Sequence, residues 1–237
     1  MGEYRLLSVD QGTRNLAVVG LHYQEREKML TVCLTHPLDV MQGQEEVDGR
    51  DLASDPSLMG RAVAQQLDQC WRLANHEGDW QAPALGMLRC LEWWHQPVHQ
   101  VVLEAAAPPR PDNYALAAAL SAWFAVRMPE AQQLAQVQRR QVMAHWKMRA
   151  CKGDHDASKK ESLRVVDELV ASGTLALACN EDVARVLLKN DHVCDALLQG
   201  LYAWRTLWPA HPLRLQVVAP EFIEPTALVP LRSSSTA

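Results

Sequence analysis

Residues 4–35, YRLLSVDQGTRNLAVVGLHYQEREKMLTVCLT, decide the architecture. They hold three short apolar runs: 4–9 (YRLLSV), 16–22 (LAVVGLH) and 29–35 (MLTVCLT). Runs of this length, separated by a few polar residues, predict three strands joined as an antiparallel meander. Asp10 closes the first run, and Gly12 supplies a turn directly after it.

Outward from this stretch the pattern changes. Residues 37–56 are polar and read as a loop, and Leu58, Val63, Leu67, Trp71 and Leu73 then recur at helical spacing over about 57–75. Residues 78–97 are irregular and Trp-rich. Residues 99–103 (HQVVL) predict a strand ending at Glu104, before the Pro-rich AAAPPRP. Asp112 or Asn113 can cap a helix running to about Arg127. A strand over 133–138, a helix over 139–149 and a loop over 150–157 follow. Ser158 then caps a helix over 159–171, and a strong helix runs from Asp191 to about Trp208. The expected order is β-β-β-α-β-α-β-α-α-α, a mixed α/β sheet with helices on its faces. One domain is expected over 1–208, with a frayed Pro-rich tail over 209–237.

The 237 residues are 48% hydrophobic and 22% charged, which excludes a disordered or fibrous chain. No apolar run approaches the ~18 residues that cross a bilayer, so no membrane association is expected. The start, MGEYRLLSVDQG, has neither the apolar core of a signal peptide nor the composition of a transit peptide. An intracellular setting is expected, viral (host cytoplasm or virion) or cytosolic and nucleoid-associated. The six cysteines form no CxxC pair and no zinc-like spacing, and read as free thiols of a reducing compartment. Of the eight tryptophans most are expected in the core, with Trp93, Trp94 and Trp146 as candidates for surface contacts.

Net charge is -5, but it is unevenly spread. Arg139, Arg140, Lys147, Arg149, Lys152, Lys159 and Lys160 face only Asp154 and Asp156 in the same stretch, which is therefore +5. A basic stretch on an acidic chain suits phosphate contact at one place, although a solvated helix face gives the same pattern.

Four acids sit where acids are costly. Asp10 and Glu104 each end an apolar strand, and Asp191 and Asp195 lie four apart in the apolar helix DHVCDALLQGLYAW, hence on one face. Singly, each has an ordinary explanation as a turn former, a solvated acid or a partner of the helix dipole. Jointly they describe one sheet end gathering four anions. Hard divalent cations, Mg²⁺ or Mn²⁺, stabilise such a cluster.

The segments SVDQGTRNLAVVGL, VVLEAAAPPRPDNYALAAAL, SKKESLRVVDELV and LKNDHVCDALLQGLYAW, in this order, resemble the RuvC-like Holliday junction resolvases. The ending KxDxxxDALLQ places the likeness nearest the poxvirus and fungal mitochondrial branch, and it spans about residues 4–208. The resemblance implies an RNase H-like fold, with a five-stranded sheet whose first three strands are antiparallel. It implies a crossover junction endodeoxyribonuclease in which Asp10, Glu104, Asp191 and Asp195 are catalytic and hold two metal ions. His192, three residues before Asp195, is a second candidate for the place given to Asp191. Lys159 and Lys160 match basic residues that contact the junction near the cut. In this chain Ala105 and Ala107 stand where family members carry a polar and an aromatic residue, leaving Arg110, Asn113 or Trp146 as candidates for base contact.

The chemistry implied is paired symmetric nicking of four-way DNA, with two Mg²⁺ per site (Mn²⁺ substituting) and 5′-phosphate and 3′-hydroxyl products. Two matched cuts imply a homodimer. Its candidate interface is helix 113–127, with Ala115, Ala118, Ala119 and Ala122 as a small face and Leu116, Leu120 and Trp123 adding apolar area. Two rivals remain: an RNase H-like nuclease of flaps, other branched DNA or RNA–DNA hybrids, and a sugar kinase or actin-like ATPase, whose first phosphate loop VDQGTRNLAVVG resembles.

Overall fold

Successive strand residues point to opposite sides of a sheet, so each strand feeds two helix layers. The computed structural model describes residues 2–12, 15–35, 37, 56–74, 98–105, 111–128, 131, 133–149, 155–179, 181–208 and 214–218. In β1 (Glu3–Asp10), Leu6 faces one layer while Leu7 and Val9 face the other. The expected meander is present. β1 pairs antiparallel with β2 (Ala17–Gln24), and β2 with β3 (Met29–Leu34).

After α1 (Pro56–Ala74), β4 (Gln100–Glu104) returns parallel to β1. After α2 (Pro111–Arg127), β5 (Gln133–Val137) lies parallel to β4. These five strands form the contiguous block β5-β4-β1-β2-β3, the mixed five-stranded arrangement expected. Next come α3 (Arg139–His145), α4 (His155–Ala171), β6 (Leu175–Cys179), α5 (Glu181–Leu187), α6 (Asp191–Leu207) and β7 (Arg214–Val218).

The strand count differs from expectation. β7 pairs parallel with β3, and β6 parallel with β7, so the sheet has seven strands. Both additions are five residues long, and β7 lies in the segment read as a frayed tail. Leu215 and Val217 are buried while Gln216 is not, so β7 carries the alternation of a half-buried strand and is held by its partners. Two helix limits also move. α3 stops at His145, and Lys147 then adopts a left-handed φ of 52° in the closing turn. α4 begins at His155, so Ser158 lies inside it and does not cap it. No helix breaker follows Gly153 to force a later start. Residues 38–55 of the loop expected over 37–56, and the whole Trp-rich stretch 78–97, lie outside the described residues.

Leu116, Leu120, Trp123 and Phe124 of α2 pack with Met59, Val63 and Leu67 of α1 on the Leu7/Val9 face. Asp68 of α1 accepts hydrogen bonds from Trp123 Nε1 and Arg127 Nη2, both at 2.9 Å. Leu116, Leu120 and Trp123, expected to add area to a dimer interface, are therefore core residues of their own chain. The exposed side of α2 carries Ala118 and Ala122, with Tyr114 50% and Val126 76% exposed. Among the described residues no helix is long and apolar enough to cross a membrane.

Candidate active site

The site follows from strand parity. Leu6 lies on the α6 side of the sheet, so Asp10, four residues on, lies there too; Val102 and Glu104 share that side on β4. Val9 pairs with Leu103 in the parallel β1–β4 register, so Asp10 and Glu104 are neighbours at the carboxyl ends of adjacent strands, about 4.8 Å apart. Asp10 is only 5% exposed. Gln11 Nε2 donates to the Glu104 carbonyl at 2.6 Å and ties the two strand ends together.

α6 brings the remaining acids. Its start is fixed by Asn190, whose side chain accepts from the backbone N–H of His192 and Val193 at 3.0 and 3.2 Å. Its middle lies against the sheet at Gly200, where an added Cβ would sit 2.8 Å from Leu21 Cδ1 and 2.9 Å from Ser8 Cβ. Beside it, buried Gln199 donates from Nε2 to Ser8 Oγ and the Val9 carbonyl at 3.2 Å, and to the Val102 carbonyl at 3.3 Å. One amide thus fixes α6 to β1 and β4 just below the two acids. Asp195 lies one turn before Gln199.

Each acid of α6 meets a different partner. Asp195 Oδ2 accepts from Arg139 Nη1 at 2.8 Å, and its Oδ1 accepts from Ser162 Oγ of α4. Asp191 Oδ2 pairs with Lys159 Nζ at 2.5 Å. His192 Nδ1 contacts Asp10 Oδ2 at 2.7 Å, and its Nε2 lies 3.9 Å from Asp191 Oδ2. His192 therefore joins the first turn of α6 to Asp10 of β1, and Asp191 stands toward the rim.

Burial, then the adjacent Asp10, pushes the Glu104 carboxyl up to about 8, against the opposing pull of Arg139. Burial also raises Asp195, with Arg139 opposing and Asp10 adding to the rise. Burial acts upward on Asp191 as well, but Lys159 and His192 outweigh it and hold that carboxyl below its ordinary value. The bond to Asp10 raises His192 above the usual imidazole value despite burial. Glu104 and Asp195 are thus raised by burial even though Arg139 opposes the rise, while Asp191 is held low by its own cation.

Among the described residues, no three His, Cys, Asp or Glu side chains stand together as a ready-made cation site. The oxygens are engaged by Arg139, Ser162, Lys159 and His192. The donor chemistry still fits a hard divalent ion, because Asp10, Glu104 and Asp195 offer oxygen only, and burial beside Asp10 disfavours the ionised form of Glu104 that a cation would stabilise.

The sequence-derived acids thus divide. Asp10, Glu104 and Asp195 share one site, His192 joins it through Asp10, and Asp191 flanks it. Of the basic residues, Arg139 points into the acids, and Lys159 is paired with Asp191. Arg140, Lys147, Arg149 and Lys160 are exposed. Arg110 and Lys152 lie outside the described residues, as does the side chain of Asn113. Trp146, a candidate base contact, is half-buried and donates from Nε1 to the Leu198 carbonyl at 3.0 Å. Sequence reasoning missed Ser162 and Gln199. Gln199 had a signal, a lone amide four residues after Asp195 in an otherwise apolar helix.

No family model matches the chain. No curated protein matches it. Solved structures that resemble it include two resolvases. One is the yeast mitochondrial Holliday junction resolvase Ydc2, at 15% identity and a TM-score of 0.49, over 86% of this chain and 79% of that one. The other is the fowlpox virus resolvase, solved with its substrate Holliday junction DNA, at 15% identity and a TM-score of 0.47, over 86% of this chain and 99% of that one.

Proposed function

We propose that this chain is a metal-dependent, structure-specific endonuclease that resolves four-way DNA junctions by paired symmetric nicks. The observation that carries the reading is the meeting of Asp10, Glu104 and Asp195 on one side of one sheet end, each from a different element. The four ordered motifs of the sequence support the choice of substrate.

Asp10, Glu104 and Asp195, with Asp191 or His192 at the rim, would hold two Mg²⁺ ions, with Mn²⁺ substituting. When bound, such ions supply Lewis acidity and an activated water for in-line attack at phosphorus, leaving 5′-phosphate and 3′-hydroxyl ends. The chain's own residues do the rest. Glu104 would serve as a ligand in its ionised form, its proton passing to solvent. Ser162 and Gln199 fix Asp195 and the two strands relative to one another. The exposed Arg140, Lys147, Arg149 and Lys160 take backbone phosphates, which makes binding salt-dependent and offsets the repulsion of DNA by the acids.

Two matched cuts call for two copies related by a two-fold axis, and the exposed Tyr114, Ala118, Ala122 and Val126 side of α2 is the proposed contact. Light scattering at micromolar concentration checks it: a monomer that resolves junctions fully would remove the dimer from the proposal. The test of the activity is cleavage of a synthetic four-way junction beside linear duplex, flap and RNA–DNA hybrid, with and without Mg²⁺. Paired nicks in the junction alone are expected. Cutting confined to flaps or hybrids would replace this reading with another nuclease activity.

A further inference from the structure

Among the described residues, Arg139 is the cation that acts on three of the acids at once. It is the first residue of α3, and β5 just before it runs beside β4, so its backbone is anchored at the same sheet end as Glu104. Its Nη1 lies 2.8 Å from Asp195 Oδ2, and its charge acts on Glu104 and Asp10 as well. A guanidinium does not lose its proton in a protein, so this positive charge is permanent. The other oxygen of Asp195 is taken by Ser162. A divalent ion at Asp195 therefore meets a carboxylate whose two oxygens already accept from Arg139 and Ser162, and it must share Oδ2 with the guanidinium or displace it.

We infer that Arg139 is a resident counter-ion of the acid cluster, which competes with the divalent cation for Asp195 and is displaced when that cation binds. The inference rests on the proposed metal-dependent reading and assigns Arg139 a role other than surface phosphate contact. Lys159 and His192 are the comparable groups on Asp191 and Asp10. Lys159 acts on Asp191, and His192 on Asp10 and Asp191, whereas Arg139 acts on Asp195, Glu104 and Asp10 together. The arrangement keeps the acids compatible with folding before any metal arrives, since a buried carboxylate left without a partner is strongly destabilising.

Two measurements test it, both on the full chain without DNA. The first is Mn²⁺ binding, read from the electron paramagnetic resonance of free Mn²⁺, for the wild type, Arg139→Gln and Arg139→Lys, with circular dichroism to confirm folding. Arg139→Gln keeps a donor for Asp195 but not the charge, and is expected to bind Mn²⁺ at least about tenfold more tightly, with Arg139→Lys near the wild type. The second follows the Arg139 Nε–Hε resonance by NMR during a Mg²⁺ titration. It is expected to shift and to exchange faster as the Asp195 amide responds. Unchanged or weaker Mn²⁺ binding by a folded Arg139→Gln, no Mn²⁺ binding by either protein, or an Arg139 signal that stays put while Asp195 responds would each overturn the inference. Junction cleavage by the wild type with any of those results would leave the nuclease reading standing. A tenfold gain in a protein that cuts no DNA would do the reverse.

Discussion

Asp10 on β1 and His192 on α6 stand 182 residues apart in the chain, and their side chains meet at 2.7 Å. The contact joins the first strand to the last helix of the described fold, so the site is complete only once α6 has docked. Asp10 also neighbours Glu104, which makes it the acid shared by both sides of the cluster. Asp10→Asn is expected to fold and to bind junction DNA as before. Cleavage should fall by about a hundredfold or more, the scale on which preorganised electrostatic groups act. Mobility shift and cleavage assays on one preparation check both halves. Junction resolution retained by the variant would remove Asp10 from the metal-binding set.

Glu104 predicts how stability depends on pH. Its folded value, about 8, lies above the ordinary 4.5, so between these values the folded chain holds a proton that the unfolded chain has lost. The resulting stability is fully present below about 4.5 and is lost as pH rises toward 8. Asp195 shifts in the same direction and adds to the effect. Urea unfolding in EDTA from pH 5 to 9 should show stability falling by on the order of 2 kcal/mol. Glu104→Gln should flatten the fall, and Mg²⁺ at pH 8 should reverse it by binding the ionised form.

Gly200 governs how closely α6 approaches the sheet. Gly200→Ala would place a methyl group 2.8 Å from Leu21 Cδ1 and 2.9 Å from Ser8 Cβ. Leu21 can yield at its tip, but Ser8 Cβ is bonded to the strand backbone. A cost of about 1–3 kcal/mol is expected, seen as a lower Tm. Because Gln199 and Asp195 move with the helix, cleavage should fall even at temperatures where the variant stays folded.

The exposed and the paired basic residues should behave differently. Arg140→Glu and Lys160→Glu should each weaken junction binding and reduce the salt slope by about one contact or more. Lys159→Ala should instead act through Asp191, whose carboxyl loses its 2.5 Å partner. Its signature is an altered Mg²⁺ requirement with little change in the salt slope.

Strands β1 to β5 were readable because they are short, mostly apolar runs bounded by polar or turn-forming residues; Asp10 and Glu104 stood out as charges closing such runs. β6 and β7 were not, because LALAC and RLQVV are short and become strands through the neighbours they pair with. The basic stretch misled at Arg139 for a related reason. A run of cations reads as a solvated surface, and nothing local shows that one member turns toward acids contributed by α6 and β4. Trp146 is similar: in sequence it lies among polar residues, but the Leu198 carbonyl takes its N–H and Arg205 lies 5.2 Å over its ring. Ser162 offered no signal at all, since a serine in a polar helix turn becomes a site residue only when α4 packs beside α6.

Strand β7 is made after every acid of the site, yet it covers the outer side of β3. A nascent chain that had emerged only as far as residue 208 would already carry all its candidate ligands. The hydrogen-bonding groups along β3 would meanwhile be bare, a template on which a second chain could add. Once made, these five residues cover that edge and close the meander to such addition.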